Sequence, residues 1–340
     1  MREDPILLTG VYRSGTTILS CMIGAHPEIN FTYGSVNYLR WFVKKAIDPK
    51  KYKEIVIDTE TRLLKRYKKQ ISSKSIINSI ESSENEISHG LIYSAIMEDF
   101  FKNKEKRWGE KTLLEWTNIP TFLKMYPNSK ALHIIRDPRD VIASFKNVTF
   151  ETGNRYLDAI FACMHSMDTC MTFKRELPKE RYYHVAYESL VSNPECELEK
   201  ICNFLEIKYS DSMMDKSLYK DQFGDVLDAD SHTSYSDNKK ELSGRWKDQL
   251  SDRDISLIEV LLMKQLEEFN YLSKTSKSLE INSLLSVLTE DSLLKSRFLN
   301  YLETGQGCEE YPSDPTKEEN WTVLGEKNKG AASLYLKNKK

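Results

Sequence analysis

The apolar residues near the amino-terminal end of the chain change their spacing within a few positions. Residues 6–8 are a continuous apolar run, which is typical of a short buried strand. From residue 16 to residue 25 the apolar side chains recur every three or four positions, as on one face of a helix. The intervening residues 10–15 are therefore predicted to form a tight turn between a strand and a helix.

Three later segments are predicted to form further strands, at residues 108–114, 131–135 and 182–187, and the second of them is a clear apolar run. We expect the first of them to end in a turn that carries residues 110–112. Strands that alternate with helical segments indicate an α/β protein with a parallel sheet, in which ligands bind beyond the carboxyl ends of the strands. The main helical segments are predicted at residues 87–101, 119–125, 155–177, 195–205 and 255–269.

The remaining regions have weaker patterns. Residues 44–106 are mostly helical but poorly hydrophobic, and their basic block is either a solvated helix face or a lid over an anionic substrate. Residues 220–243 are polar and aperiodic, which indicates a mobile loop. We predict one domain over residues 1–272, in which residues 30–106 form a helical insertion on the substrate side. Residues 273–340 are predicted to be an extension that is partly helical and then loosely ordered.

Composition and charge argue against several classes of protein. The chain has 340 residues, with 49 basic and 51 acidic residues and a net charge of −2, so no overall field attracts nucleic acid. Mean hydropathy is −0.54, and no apolar run approaches the roughly 18 residues of a membrane span. The first strand begins a few residues after Met1, which predicts neither a signal peptide nor an anchor before it. Six scattered cysteines indicate neither a zinc site nor a disulfide framework, and we predict a cytoplasmic protein.

The turn at residues 10–15 has the composition of an anion-binding loop. Gly10 and Gly15 bracket four residues, and glycine lets the backbone approach a phosphate closely. The helix that follows offers unpaired N–H groups at its positive end. A nucleotide triphosphatase P-loop has a lysine after its second glycine, whereas here that position is Thr16 and the cation is Arg13. We interpret the loop as phosphate-binding, with a bare glycine turn as the alternative.

A second anion-binding centre is predicted after the strand at residues 131–135. Arg136 follows this strand directly, and Asp137 and Pro138 have the residue types of a helix start. Ser144 lies eight positions after Arg136, so both side chains can face one phosphate. Two separate phosphate centres without an acidic metal-binding cluster suggest a nucleotide that carries phosphates at two places.

These segments resemble the sulfotransferases that depend on 3′-phosphoadenosine 5′-phosphosulfate (PAPS). The sequence GVYRSGTTIL at residues 10–19 is similar to their 5′-phosphosulfate loop, and IIRDPRDVIASF at residues 134–145 is similar to their 3′-phosphate motif. The resemblance covers residues 5–270. Shorter matching segments occur in the family's order at residues 25–28, 108–112, 187–194 and 244–247.

The resemblance implies a three-layer α/β fold of the P-loop nucleotide-kinase type, with a five-stranded parallel sheet flanked by helices. It also implies PAPS as the co-substrate, 3′-phosphoadenosine 5′-phosphate (PAP) as the product, and no metal. Arg13 matches the cation at the 5′-phosphate and sulfuryl group, Arg136 and Ser144 match ligands of the 3′-phosphate, and Tyr187 matches an adenine-side residue. The nucleotide-binding residues implied in this way are Arg13, Ser14, Gly15, Thr16, Thr17, Arg136, Ser144, Tyr187, Lys239, Arg245, Trp246 and Lys247.

The resemblance further implies the reaction. A sulfuryl group is transferred in line from PAPS to a hydroxyl, or less readily an amine, of a small-molecule, glycan or lipid acceptor. A loose transition state is expected by analogy with phosphoryl transfer. Arg13 would supply fixed positive charge at the leaving phosphate, and Lys111 would do so at the bridging oxygen. The sequence does not indicate an oligomeric state.

The sequence departs from the family at the base that accepts the proton of the acceptor. Relatives with carbohydrate or protein acceptors place a glutamate soon after the first helix, but residues 30–42 contain no carboxylate. The cytosolic small-molecule enzymes use a histidine where this chain has Leu113. Glu110 is the remaining candidate base, beside Lys111. The alternative is that Glu110 is a buried partner of Arg13 or Lys111.

Two other functions compete with sulfuryl transfer. A nucleotide kinase with an altered loop is opposed by Thr16 and by the lack of a magnesium-holding aspartate after a strand. A non-catalytic nucleotide-binding module is the other alternative, because the base is unassigned. In addition, Ile18 replaces the aromatic residue that often stacks on adenine early in the first helix.

Overall fold

Five strands form a parallel sheet at the centre of the protein. The structure is a computed structural model that describes residues 4–32, 36–103, 105–148, 155–220, 243–272, 281–290 and 292–307. The strands are β1 (Ile6–Gly10), β2 (Ile29–Thr32), β3 (Arg107–Leu113), β4 (Lys130–Ile135) and β5 (Tyr182–Ala186). Their order across the sheet is β2-β3-β1-β4-β5, and every neighbouring pair runs parallel. This confirms the predicted α/β class and the five-stranded parallel sheet.

Helices connect the strands and cover both faces of the sheet. A π-helical turn over Leu39–Val43 follows β2 and precedes the helices that lead to β3. The α-helices of the described residues are α1 (Thr16–Gly24), α2 (Tyr52–Tyr67), α3 (Ser73–Glu81), α4 (His89–Phe101), α5 (Ile119–Met125), α6 (Pro138–Val148), α7 (Ala159–Glu176), α8 (Tyr187–Ser192), α9 (Pro194–Leu205), α10 (Trp246–Gln249), α11 (Asp252–Leu261), α12 (Met263–Glu268), α13 (Ile281–Glu290) and α14 (Ser292–Thr304).

Alternate residues of the strands point into two different hydrophobic layers. Leu7 belongs to a buried cluster that includes Trp108 and residues of α4, α5 and α7. Leu8 belongs to a second cluster that includes Leu132 and residues of α1, α8 and α9. Since successive side chains of a strand point to opposite faces, the sheet is the middle of three layers, as the resemblance implies.

Strand β3 continues through the residues that were predicted to form a turn. The predicted turn at residues 110–112 is wrong, because these residues lie inside the strand. Glu110 and Lys111 pair with Leu7 and Leu8 of β1. The two charged side chains therefore point to opposite faces of the sheet, so they do not act as the adjacent pair that was expected.

Strand β2 was not predicted. Its sequence, Ile29–Thr32, contains the polar residues Asn30 and Thr32 and does not form a continuous apolar run. It lies at the edge of the sheet, where it pairs only with β3 among the described strands. Four residues of mixed polarity at an edge are too short a segment for periodicity to identify.

Two helices near the carboxyl-terminal end, α13 and α14, lie in the extension after residue 272 that was predicted to be partly helical. Leu288 and Leu294 are buried, and the ring of Tyr301 lies 5.6 Å from that of Phe161 in α7. The predicted loop at residues 220–243 lies almost entirely outside the described residues, and so do residues 308–340 of the extension that was predicted to become loosely ordered. Among the described residues, no helix is long and apolar enough to cross a membrane.

Candidate active site

The loop after β1 is folded tightly against the beginning of α8. Gly15 has φ +97°, and a Cβ atom there would lie 2.3 Å from the ring of Tyr187, so only glycine fits. Arg13 also has a positive φ, of 66°. The backbone N–H and the hydroxyl of Ser14 both donate to the carbonyl oxygen of Val11, at 3.2 and 2.6 Å. These contacts fix the loop ahead of the amino end of α1, where N–H groups are available to an anion.

The two predicted anion centres are joined to each other. The Nε of Arg13 donates to the Oγ of Ser144 at 2.9 Å, and Nη1 of Arg136 donates to the carbonyl oxygen of Arg13 at 2.8 Å. Arg136 is only 8% exposed. The structure therefore brings the loop after β1 and the motif after β4 together at the carboxyl ends of adjacent strands.

Tyr187 is packed between these two segments. The guanidinium of Arg136 lies 4.2 Å from the centre of its ring, while Gly15 contacts the edge of the same ring. Burial raises the pKa of Tyr187, and the positive charges of Arg136 and Arg245 act in the opposite direction. Tyr187 therefore contacts both predicted anion-binding segments.

Lys111 points toward α1 and is almost fully buried, with 8% of its surface exposed. Its Nζ donates to the Oγ1 of Thr17 at 3.2 Å. No carboxylate forms an ion pair with Lys111 among the residues that the structure describes. Burial lowers the pKa of Lys111 to about 8. A buried ammonium with one hydroxyl partner and no counter-ion is an electrostatically unfavourable group until an anion binds next to it.

Glu110 lies on the other face of the sheet and is fully buried. Its Oε1 accepts hydrogen bonds from the N–H groups of Val36 and Asn37, at 2.9 and 2.7 Å, and its Oε2 accepts from the hydroxyl of Tyr93. These contacts contradict the interpretation of Glu110 as a partner of Arg13 or Lys111. They also leave no exposed oxygen on Glu110 to accept a proton from a substrate.

The peptide group between Val36 and Asn37, whose N–H donates to Glu110, is also bound at its carbonyl oxygen by Arg62. Nη2 of Arg62 donates to the carbonyl oxygen of Val36 at 2.6 Å, and Arg62 is fully buried. Burial lowers the pKa of Arg62 to about 10, against the charge of Glu110 and other groups that raise it. Burial raises the pKa of Glu110, and the hydrogen bonds from Tyr93 and the backbone lower it. Glu110 and Arg62 together fix the backbone at residues 36 and 37.

The predicted residues of the last motif occupy a turn beside α6. The N–H groups of Gly244 and Trp246 both donate to the carboxylate of Asp140, at 2.7 and 3.1 Å. The guanidinium of Arg139 lies 4.0 Å from the ring centre of Trp246. Arg245 and Lys247, on either side of Trp246, are exposed. Lys239, the other predicted ligand from this region, lies outside the described residues.

Sequence reasoning missed the acidic and basic residues that support these ligands. Arg139 is held by ion pairs with Asp137 and Glu259, at 2.8 and 2.6 Å. Asp140 lies 3.9 Å from Arg136, one turn earlier. The closely spaced charges of residues 136–140 signalled such pairing, but the partners from distant segments had no sequence signal of their own.

A comparison with known families agrees with this geometry. The model of the sulfotransferase family matches residues 5–211, which is more than half of the chain. The chain belongs to the sulfotransferase family. Membership of this family agrees with the group-transfer class that its motifs indicate.

Curated relatives of this sulfotransferase include animal enzymes. It is 27% identical to the protein-tyrosine sulfotransferase of Drosophila melanogaster over 227 residues, which are 63% of this chain and 40% of the relative. It is also 27% identical to protein-tyrosine sulfotransferase 2 of Gallus gallus over 227 residues, which are 63% of this chain and 54% of the relative. The match therefore spans about half the length of these relatives.

Solved structures agree on the fold. The sulfotransferase domain of the Synechococcus PCC 7002 olefin synthase has a TM-score of 0.55 and 19% identity, with 80% of this chain and 97% of that chain covered. The sulfotransferase domain of the curacin biosynthetic pathway has a TM-score of 0.55 and 20% identity, with 79% and 98% covered. At these identities the likeness shows a shared fold.

Proposed function

We propose that this sulfotransferase takes its sulfuryl group from PAPS and transfers it to the hydroxyl of an acceptor. The observation that carries the proposal is that Arg13 donates to Ser144 while Arg136 donates to the carbonyl oxygen of Arg13, so the loop after β1 and the motif after β4 form one cationic site. A nucleotide with phosphates at both its 5′ and 3′ ends has the charge distribution that such a site would bind.

The residues at the first centre fit a phosphosulfate. The loop after β1 presents backbone N–H groups and Arg13, and Lys111 brings an ammonium that lacks a carboxylate partner among the described residues. A bound phosphate would give Lys111 its counter-ion and raise its pKa above about 8. The cost of burying this cation is then offset by the ligand.

Arg13 and Lys111 would contribute to the reaction through their positive charge. PAPS, when bound, supplies the sulfuryl group and a phosphate as the leaving group. Arg13 and Lys111 would stabilise negative charge that develops on that phosphate, and the amino end of α1 would add its dipole. Fixed charges of this kind need no reorganisation at the moment of transfer.

We propose further that Glu110 holds residues 36 and 37 in place and does not act as the base. Both of its carboxylate oxygens already accept hydrogen bonds from buried donors. The segment that it holds leads directly into the helical turn Leu39–Val43. We assign this segment to the acceptor side of the site, opposite the face of the sheet that carries Lys111.

The acceptor is proposed to be a hydroxyl compound: a small molecule, a glycan or a lipid. The names of the two animal relatives add the phenol of a protein tyrosine to that set. A cytoplasmic location stays a prediction. An assay with labelled PAPS and a panel of these four acceptor classes would identify the acceptor.

Thermal unfolding with different nucleotides tests the donor. We expect PAP to raise the melting temperature, because ligands that bind only the folded state stabilise it. ATP with Mg²⁺ and GTP serve as controls for the kinase alternative. Stabilisation by ATP with Mg²⁺ but not by PAP would contradict the proposal.

A further inference from the structure

Asp140 is a buried carboxylate to which the proposed reaction gives no role. It lies in the first turn of α6 and is 1% exposed. Its Oδ2 accepts from the N–H of Gly244 at 2.7 Å, and its Oδ1 accepts from the N–H of Trp246 at 3.1 Å. These two N–H groups flank Arg245, so one carboxylate fixes the backbone on both sides of that arginine.

Capping of α10 does not account for both contacts. An acceptor at the N–H of Trp246, the first residue of α10, would satisfy one unpaired donor of that four-residue helix. The N–H of Gly244 lies outside the helix, at a residue whose φ is +83°, a conformation that glycine adopts readily. The second contact therefore fixes the turn that precedes α10 and not only the helix end.

The same carboxylate reaches the predicted 3′-phosphate centre. Oδ2 of Asp140 lies 3.9 Å from Nη2 of Arg136, and the guanidinium of Arg136 lies over the ring of Tyr187. The charge of Arg245 also acts on Tyr187. Asp140 thus connects Arg136, just before α6, with the backbone on both sides of Arg245 in the turn at residues 244–246.

On the basis of the proposed function, we propose that Asp140 is a positioning residue for recognition of the 3′-phosphate. It holds the turn at residues 244–246 so that Arg245 faces the same phosphate as Arg136. A carboxylate close to a phosphate also repels it, which by charge alone would weaken binding. The proposal is that the placement of Arg245 outweighs this repulsion.

Asp140→Asn tests the proposal through its affinity for two nucleotides, PAP with a 3′-phosphate and AMP without one. The amide keeps the size of the side chain but offers one acceptor oxygen for two N–H donors and carries no charge. We expect the Kd of PAP to rise about tenfold, the scale of one lost charge-assisted hydrogen bond. The Kd of AMP, which lacks the 3′-phosphate, should stay within about twofold because its binding does not use Arg245.

Glu259→Gln is the matched control. It removes another buried carboxylate that supports α6, through Arg139, but that carboxylate makes no hydrogen bond to residues 244–246. We expect it to lower stability without changing the ratio of PAP to AMP affinity. Calorimetry on the full chain measures both constants.

The outcomes separate this proposal from the proposed function. If the unaltered protein does not bind PAP more tightly than AMP, the proposed function itself fails. If it does, and Asp140→Asn leaves PAP affinity unchanged or increases it, only the role of Asp140 is wrong. If Asp140→Asn does not fold, Arg245→Ala tests the proposal instead. Arg245→Ala must then bind PAP more weakly relative to AMP than the unaltered protein does, and an unchanged ratio of the two affinities would overturn the proposal.

Discussion

Glu110 and Lys111 are neighbours in β3, both charged and both buried, but they lie in different surroundings. Glu110 accepts three hydrogen bonds, two from backbone N–H groups and one from Tyr93. Lys111 makes one hydrogen bond, to Thr17, and has no carboxylate partner among the described residues. One face of the strand therefore carries a charge that accepts three hydrogen bonds, and the other face carries a charge that lacks a counter-ion among the described residues.

This difference distinguishes a structural charge from a functional one. Burial of a charge is costly unless partners compensate it, and a compensated buried charge belongs to the fold. A charge without such partners lowers stability, and a bound ligand of opposite sign would reverse that cost. On this basis we assign Glu110 to the framework and Lys111 to the reaction.

The largest effect is expected when Lys111 is replaced. Lys111→Met keeps the length of the side chain but removes the charge at the leaving phosphate. We expect turnover with PAPS to fall by about 10²–10³-fold, as for the loss of one preorganised donor. Turnover is measured with whichever acceptor the labelled-PAPS panel identifies.

The same variant should be more stable than the unaltered protein. Loss of this buried charge should raise the free energy of unfolding at pH 7 by about 3 kcal/mol, because burial lowers the pKa from 10.5 to about 8 and each tenfold change in a proton-binding constant corresponds to about 1.4 kcal/mol. Lys130→Met is the matched control: Lys130 is also buried in a strand but binds Glu206 and the carbonyl of Phe204, at 2.8 and 2.6 Å. Lys130→Met should therefore have a lower free energy of unfolding than the unaltered protein. A higher value would contradict the distinction between Lys111 and a buried lysine that has partners.

Replacement of Glu110 should have the opposite effect on stability. Glu110→Gln places an amide against donors that need acceptors, so we expect it to cost about 3 kcal/mol of unfolding free energy, measured by denaturant titration. Tyr93→Phe removes only one of the three donors and should cost about 1 kcal/mol. Folded Glu110→Gln protein should bind PAP normally. A loss of PAP affinity with unchanged stability would place Glu110 in the nucleotide site instead.

A smaller effect is expected from pH in the absence of ligand. Burial lowers the pKa of Lys111 in the folded protein to about 8 from its ordinary value of 10.5, so the unfolded state binds more protons than the folded state between these values. The contribution of Lys111 to the free energy of unfolding therefore becomes less unfavourable as the pH rises from about 8 to 10.5. The stability advantage of Lys111→Met should shrink over that window, and an advantage that is constant with pH would contradict the lowered pKa.

The sequence was sufficient for three of the five strands and for most of the nucleotide loop, but not for β2, for the middle of β3 or for the surroundings of Glu110. Residues 10–15 and 136–144 are local motifs, so spacing alone places their ligands at strand ends. The error at β3 came from reading residues 110–112 as a turn, whereas strand alternation would have separated Glu110 from Lys111. The partners of Glu110 come from residues 36, 37 and 93, and no local pattern predicts contacts over such distances in the chain.

The most direct test of the role of Lys111 is proton uptake when PAP binds at pH 8, measured by calorimetry in buffers of different ionisation enthalpy. Near its pKa of about 8, Lys111 is roughly half protonated in the free protein, and a phosphate beside it should hold it fully protonated. We predict that the unaltered protein takes up about half a proton more than Lys111→Met. Equal proton uptake by the two proteins would contradict the assignment of Lys111 as the buried cation whose counter-ion is the bound phosphate.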